Sequence, residues 1–183
     1  AAELAWRDAR LSHSGNGIYG EAFVAAMIAA AFATDDVGEV IDVGLRAIPQ
    51  HSRLADAIRF ARELPSRSDD WEQAVDLLYA RLGHYHWVHT INNAALLTAA
   101  LLYGDGDFER TVALAVMGGW DTDCNGATAG SIIGAMHGTD GIPEAWSAPL
   151  RNRVRTSLKG FDDSRFDELA ARTLAQVPSR YLA

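Results

Sequence analysis

The sequence contains very little cysteine, no excess of positive charge and no long hydrophobic run. Cys124 is the single cysteine in 183 residues, so no disulfide can form within the chain. This fits a reducing compartment, and we expect a cytoplasmic protein. With 16 Lys and Arg against 24 Asp and Glu, the formal net charge is −8. Such a balance disfavours binding to phosphate backbones, so we expect no nucleic-acid partner.

The longest uninterrupted apolar segment is too short to cross a membrane. It covers residues 22–33, twelve residues rich in alanine, whereas a spanning helix needs about 20. We therefore interpret it as a buried helix and expect no membrane partner. Residues 1–10 contain neither an initiator Met nor the apolar segment of a signal peptide, and they resemble the interior of a helix. We therefore expect the sequence to begin in the middle of a folded structure.

Apolar residues recur at three- and four-residue steps along most of the chain, which predicts helices. The predicted helices cover residues 18–34, 37–48, 52–64, 71–82, 92–103, 108–117 and 166–177. Ser52, Asp70 and Asp107 stand where three of these helices begin and are candidate N-caps. No run of alternating β-branched residues indicates a strand, so the predicted fold class is all-α.

Glycine is concentrated in one part of the chain. Nine of the 16 glycines fall in residues 104–141, and Gly126, Gly130, Gly134 and Gly138 share one helix face. Because each glycine inside a helix costs about 1 kcal/mol relative to alanine, we expect a helix or ligand to approach this face closely. A glycine-faced core helix without a functional role is the alternative.

Two carboxylates lie directly before this glycine-rich helix, in the segment GGWDTDCNG at residues 118–126. Asp121 and Asp123 stand at a loop-to-helix junction, where the helix dipole stabilises anions. A pair of hard oxygen donors suits Mg²⁺, Mn²⁺ or Ca²⁺ better than zinc. Helix capping would explain one of the aspartates, and the spacing alone leaves capping open as the alternative.

A second glycine-rich loop, SHSGNGIYG at residues 12–20, opens the first long helix. Backbone N–H groups at such a junction can hold a phosphate, and His13 could hydrogen-bond a ligand. A cap or a satisfied core histidine is the alternative interpretation of His13.

A cluster of three histidines occupies residues 84–89. Their spacing matches no zinc motif, so we interpret the segment as a turn with polar caps. His89 could still face a pocket formed with Asn92 and Asn93.

Two acidic segments also resemble metal motifs. Asp105 and Asp107 lack the glutamate that a calcium loop places at its twelfth position, so they predict a turn followed by a cap. The segment 34–36, Thr-Asp-Asp, fits the end of one helix and the cap of the next.

Together, the GGxDTD segment, the small-residue helix ending at His137–Gly138 and the loop around His13 resemble the ADP-ribosylglycohydrolase family. The resemblance covers nearly the whole chain. It implies a compact multi-helix orthogonal bundle that holds two divalent cations, usually Mg²⁺ with Mn²⁺ as the substitute. It also implies hydrolysis of the glycosidic bond between ADP-ribose and a protein side chain or small acceptor.

The same resemblance implies roles for particular residues. Asp121 and Asp123 would bind metal, and Cys124 stands where the family commonly has a Thr or Ser whose hydroxyl also contacts a metal. The ADP-ribose would be bound by His13, Gly15, Asn16, Gly17 and Tyr19.

The family's acid/base and its remaining metal ligands, in a Thr-Asp-Asp motif, precede the histidine loop. Here only twelve residues precede His13, and the segment 34–36 follows the loop, so the catalytic residue is unassigned. We expect residues 1–183 to be the C-terminal part of a single domain, inactive alone, that supplies half of the metal site. A complementary N-terminal polypeptide would be its partner. The alternative is a non-catalytic helical module that binds ADP-ribose or a related nucleotide.

Overall fold

The computed structural model describes residues 1–177 and divides the chain into two compact units, Ala1–Gly141 and Ile142–Ala183. The first unit is helical. Its helices are α1 (Ala2–Ala9), α2 (Asn16–Ala31), α3 (Val37–Arg46), α4 (Arg53–Arg62), α5 (Leu64–Arg67), α6 (Trp71–Leu82), α7 (Thr90–Gly104), α8 (Phe108–Met117) and α9 (Thr122–His137), followed by a 3-10 turn (Thr139–Gly141).

The second unit is built from short elements. These are α10 (Glu144–Ser147), a 3-10 turn (Ala148–Leu150), β1 (Arg153–Val154), β2 (Ser164–Arg165) and α11 (Phe166–Leu174). The strands pair antiparallel, with Arg153 opposite Arg165. The prediction of an all-α fold is confirmed. The prediction contained no strand, because two residues are too few to produce an alternating pattern.

Helix α7 forms the centre of the first unit. All but two of its fifteen residues are buried, as expected for a helix that is apolar on every side. Helices α2, α3, α4, α6, α8 and α9 pack against it. The first turn of α7 is therefore held in place by the core.

The apolar segment 22–33 lies largely within α2, where Phe23 and Met27 are fully buried. Its interpretation as a helix is confirmed, but only one side of that helix is buried, and Phe32 beyond its end is exposed. Within residues 1–177, no helix combines the length and the apolar character that crossing a bilayer requires.

Side-chain caps explain why five of the eleven α-helices in residues 1–177 begin where they do. Ser52, Asp70 and Asp107 each accept a hydrogen bond from a backbone N–H in the first turn, as predicted. Asp36 caps α3 and His89 caps α7 in the same way. Helices α6 and α8 begin and end at the predicted residues, and α3 and α11 begin at the predicted residues. The remaining predicted ends differ from the observed ones by one to three residues.

The glycine face of α9 packs against α8. A Cβ atom at Gly126 would lie 2.9 Å from Cγ2 of Val116, which is closer than side chains normally approach. At Gly130 the nearest atom, Cγ2 of Val112, would lie 3.5 Å away. The predicted close approach is therefore confirmed at Gly126, while Gly130 leaves room for a methyl group.

Two helical glycines are expected to respond in opposite ways to alanine. Gly130→Ala should raise the free energy of unfolding by up to about 1 kcal/mol, because alanine favours the helix and its methyl group fits. In Gly44→Ala the methyl group would lie 2.6 Å from Cγ of Met27 and 2.7 Å from Cδ2 of Phe23. Overpacking of this kind should lower the free energy of unfolding by about 1–3 kcal/mol. Urea unfolding measures both changes, and a shift of the same sign in the two variants would contradict this assignment.

Candidate functional site

A cleft of about 640 Å³ opens beside the loop that contains His13. Ligand pockets commonly enclose roughly 300–1,000 Å³. We call it the histidine cleft, and its lining residues are Ser12, His13, Ser14, Gly15, Asn16, Gly17, Arg53, His86, Val88, His89 and Thr90. None of them is acidic, although the chain has a net charge of −8. With Arg53 and three imidazoles, the cleft is suited to an anion.

Residues from the first turns of three helices, α2, α4 and α7, line the histidine cleft. Helix N-termini favour anions, because their first N–H groups lack partners within the helix. Ser52 and His89 cap α4 and α7, whereas no side chain caps α2. Gly15 precedes α2 with φ +50° and ψ −120°, a conformation open to glycine. The first turn of α2 is thus the one whose N–H groups no capping side chain occupies.

Four of the five residues predicted to bind ADP-ribose lie in this cleft: His13, Gly15, Asn16 and Gly17. Gly17 makes room for the imidazole, because a Cβ atom there would lie 3.0 Å from Cβ of His13. Oδ1 of Asn16 accepts a hydrogen bond from the backbone N–H of Leu54 at 3.1 Å. The loop is therefore fixed to the first turn of α4.

Tyr19, the fifth predicted residue, lies outside the histidine cleft. It lines a different pocket, together with Trp6 and Pro49. Each step along a helix turns by about 100°, so Tyr19 lies on the side of α2 away from Gly17. The structure does not bring Tyr19 together with the other four residues.

His89 joins the histidine cleft to the start of α7. Its Nδ1 accepts a hydrogen bond from the backbone N–H of Ile91 at 3.2 Å. Desolvation, and to a smaller extent the positive charge of Arg53, lowers the pKa of His89 below its ordinary value. The interpretation of residues 84–89 as a turn with polar caps is confirmed for His89.

The two aspartates of the GGxDTD segment lie close together at the start of α9. Asp121, Asp123 and Cys124 each offer a ligand atom, and these atoms lie within 4.8 Å of one another. Asp121 occupies the N-cap position of α9, but its side chain makes no capping hydrogen bond. Capping therefore does not account for its carboxylate.

Helices α2 and α9 differ from the other long helices in this respect. Of the seven helices with ten or more residues in the described chain, five have a side-chain cap. The two without one are α2 and α9. These are the helices that follow the two glycine-rich loops of the sequence.

Cys124 contributes little to metal binding in its protonated form. A hydrogen bond with Asp121, desolvation and the negative charges of Asp121 and Asp123 raise the pKa of its thiol. Since a thiolate rather than a thiol is the metal ligand, the effective donors are the carboxylate oxygens. Two such donors fit a hard cation such as Mg²⁺ or Mn²⁺ that keeps part of its water shell.

A second cleft, of about 450 Å³, contains Asp121 and adjoins the histidine cleft. We call it the aspartate cleft, and it is lined by Gly20, Glu21, Val24, Val88, Thr90, Asn93, Ala94, Leu97, Asp121, Cys124, Asn125 and Thr128. Val88 and Thr90 line both clefts. Glu21 brings a further carboxylate, which no spacing in the sequence selects.

Asn93 connects the two clefts. Its Nδ2 donates to the backbone oxygens of Trp87 and His89, at 2.7 and 2.9 Å. Its Oδ1 accepts from the backbone N–H of Asp121 at 3.1 Å and from Nδ2 of Asn125 at 2.7 Å. The buried side chain thus uses two donor and two acceptor positions. Asn93 is one of the two asparagines expected to form a pocket with His89, but it lines the aspartate cleft whereas His89 lines the histidine cleft.

The remaining acidic segments have the structural roles predicted for them. Asp36 caps α3 and Asp107 caps α8. Asp35, Asp36 and Asp105 line a separate cleft that contains neither Asp121 nor Asp123.

The fold and the two clefts define an all-α domain with an acidic candidate metal site beside a cleft suited to an anion. Residues 1–181 match the family model described as ADP-ribosylglycohydrolase. The chain belongs to the ADP-ribosylglycohydrolase family.

Comparison with curated proteins finds an uncharacterized protein of Archaeoglobus fulgidus that is 31% identical over 149 residues. The matched region is 79% of this chain and 45% of the relative. The chain thus spans about half the length of the curated relative it matches. No solved structure matches the chain.

The lowered pKa of His89 makes folding depend on pH. Above the ordinary value of 6.5, the imidazole is neutral in both states and accepts the capping bond. As the pH falls below 6.5, the unfolded chain binds the proton more readily than the folded chain, so stability is lost. His89→Asn keeps a capping acceptor but does not titrate. It should therefore lose less Tm than the wild type between about pH 7.5 and 5.5.

The control is His51→Asn, which removes an exposed imidazole that caps no helix. Thermal unfolding at the two pH values measures the effect. An unchanged loss of Tm in His89→Asn would contradict the role given to this cap.

Proposed function

We propose that the chain supplies one part of a divalent-cation-dependent hydrolase that cleaves ADP-ribose linkages. Asp121 and Asp123 hold Mg²⁺ or Mn²⁺, and the histidine cleft holds the ADP-ribose. The observation that carries this proposal is the pair of uncapped helix N-termini, α2 and α9, beside adjoining clefts. Membership of the ADP-ribosylglycohydrolase family supports the class of reaction.

The anionic diphosphate of ADP-ribose matches the charge of the histidine cleft. Arg53 provides a guanidinium, which binds phosphate through charge-assisted hydrogen bonds. The first N–H groups of α2 have no capping side chain and provide further donors, apart from that of Gly17, which donates to the backbone oxygen of Ser14. His13 and Nδ2 of Asn16 remain as polar contacts for the same ligand, because Oδ1 of Asn16 accepts from Leu54.

The cation site lies at the other end of the bound ligand in this proposal. Val88 and Thr90 belong to both clefts, so a ligand in the histidine cleft can extend towards Asp121. A bound divalent cation lowers the pKa of a coordinated water and stabilises developing negative charge. The chain's own contribution is to hold that cation through Asp121 and Asp123, with Cys124 beside them.

The chain spans about half of the relative's length, and two carboxylates are few for a centre with two cations. We therefore propose that residues 1–183 form the C-terminal part of one domain and supply half of the metal site. The other ligands, and the acid/base, would come from a complementary N-terminal polypeptide. A protein or small molecule that carries ADP-ribose would be the substrate.

The metal site is tested by removing both carboxylates. Asp121→Asn with Asp123→Asn should weaken Mn²⁺ binding at least about tenfold, because amide oxygens carry no net charge. The matched control is Asp35→Asn with Asp105→Asn, which removes two carboxylates from another cleft. Isothermal titration with Mn²⁺ measures the affinity. Equal affinity in the site variant and the wild type would refute the assignment.

The ligand cleft is tested by removing its guanidinium. Arg53→Gln should weaken ADP-ribose binding about tenfold or more, since a hydrogen bond to a charged group contributes about 1.5–3 kcal/mol. Arg110→Gln, at an exposed position on α8, removes the same charge elsewhere. Titration with ADP-ribose, in Mg²⁺ and in EDTA, measures the affinity of each variant. An equal loss of affinity in Arg53→Gln and Arg110→Gln would contradict the proposed cleft.

The same samples decide between the proposed enzyme part and a non-catalytic binding module. Hydrolysis should appear only when the complementary polypeptide is added to the purified chain with Mg²⁺. Turnover by the chain alone would contradict the half-site proposal. Binding without turnover after that addition, and without dependence on metal, would favour the binding module.

A further inference from the structure

The loop that leads into the candidate metal site has an unusual backbone. We call residues 118–121 the metal loop. Gly119 has φ +83° and the next residue, Trp120, has φ +55°. A left-handed conformation is uncommon for a bulky residue, so contacts from the rest of the fold must stabilise it. Asp121 follows immediately, and its position depends on that conformation.

Tyr79 of α6 contacts the metal loop in two ways. Its ring stacks on Trp120, with ring centroids 4.3 Å apart and an interplanar angle of 20°. Its hydroxyl donates a hydrogen bond to the backbone oxygen of Gly118 at 3.2 Å. A Cβ atom at Gly119 would lie 2.5 Å from the same hydroxyl, so the loop approaches Tyr79 as closely as glycine allows.

The opposite side of the loop is held by α7. A Cβ atom at Gly118 would lie 2.4 Å from Cδ1 of Leu96, which is fully buried. The backbone N–H of Asp121 donates to Oδ1 of Asn93. The metal loop therefore lies between α7 and Tyr79. Of these two neighbours, Tyr79 is the one that stacks on Trp120.

We infer that Tyr79 is a positioning residue for the metal site: its stack on Trp120 and its bond to Gly118 hold the loop that places Asp121. This inference rests on the proposed function, because it concerns the same cation site. Without the stack, Trp120 should relax towards an ordinary backbone conformation, and the carboxylate of Asp121 should lose its fixed position. The affinity for the cation should then fall although both aspartates remain.

Two variants separate the contributions of the ring and the hydroxyl. Tyr79→Leu removes both the stack and the hydrogen bond, and it should weaken Mn²⁺ binding about tenfold. Tyr79→Phe keeps the ring, and it should weaken binding about threefold or less. Mn²⁺ affinity is measured by isothermal titration, and hydrogen exchange of the backbone around Asp121 is measured without metal. Faster exchange is expected in Tyr79→Leu.

Tyr103 provides a matched control in the same helical unit. Its hydroxyl donates to the backbone oxygen of Ser68, and its ring contacts Trp71 edge-on with centroids 5.5 Å apart. Tyr103→Leu therefore removes the same kinds of contact at a site remote in sequence from the metal loop. It should lower the Tm but leave Mn²⁺ affinity and exchange around Asp121 unchanged.

The outcomes distinguish this inference from the proposed function. If the wild type binds no Mn²⁺, the proposed metal site fails, and exchange around Asp121 alone decides whether Tyr79 holds the loop. If the wild type binds Mn²⁺ and Tyr79→Leu binds equally well, the positioning role is wrong. Equal weakening by Tyr103→Leu would also overturn it, because the effect would then reflect general destabilisation. The inference is supported if the wild type binds Mn²⁺ most tightly, Tyr79→Phe binds it less tightly and Tyr79→Leu binds it most weakly.

Discussion

The side-chain amide of Asn93 is the interaction on which both clefts depend. It is only 9% exposed and makes four hydrogen bonds, two to the turn around His89 and two at the start of α9. A buried polar group left without partners costs about 1–3 kcal/mol, so the turn and the metal loop are each stabilised by the presence of the other. Because Asn93 belongs to α7, the most buried of the described helices, the packed core holds this part of the site in place.

Close packing at glycine sets the distances around this interaction. A Cβ atom at Gly20 would lie 2.2 Å from Oγ1 of Thr90, so the second turn of α2 meets the first residue of α7 only because that position has no side chain. Gly118 allows the same approach between the metal loop and Leu96. The glycines that cost helix or loop stability thus bring the two motif-bearing segments against α7.

Local signals and contacts distant in sequence differ in how far they could be predicted. Helix α6 was predicted with its correct ends because Asp70 caps it and its apolar residues recur at helical spacing. Both glycine-rich loops are visible in the sequence, and each of them lies directly before a helix that has no side-chain cap. By contrast, the stack of Tyr79 on Trp120 joins residues from different helices, and periodicity carries no information about such contacts. Tyr19 was expected in the same site as His13 because the two are close in sequence, but it lines a different pocket. Proximity in sequence does not decide which face of a helix a residue occupies.

The two clefts differ in charge: the histidine cleft contains Arg53 and no carboxylate, whereas the aspartate cleft contains carboxylates. The aspartate cleft contains the carboxylates of Glu21 and Asp121, which would repel a diphosphate in the adjoining histidine cleft. A divalent cation at Asp121 and Asp123 offsets most of that negative charge, so in the proposed function the cation and the ligand favour each other's binding. Such coupling is reciprocal by thermodynamic necessity. In the proposed function, an acidic chain binds an anionic nucleotide because the cation offsets most of the negative charge beside the cleft.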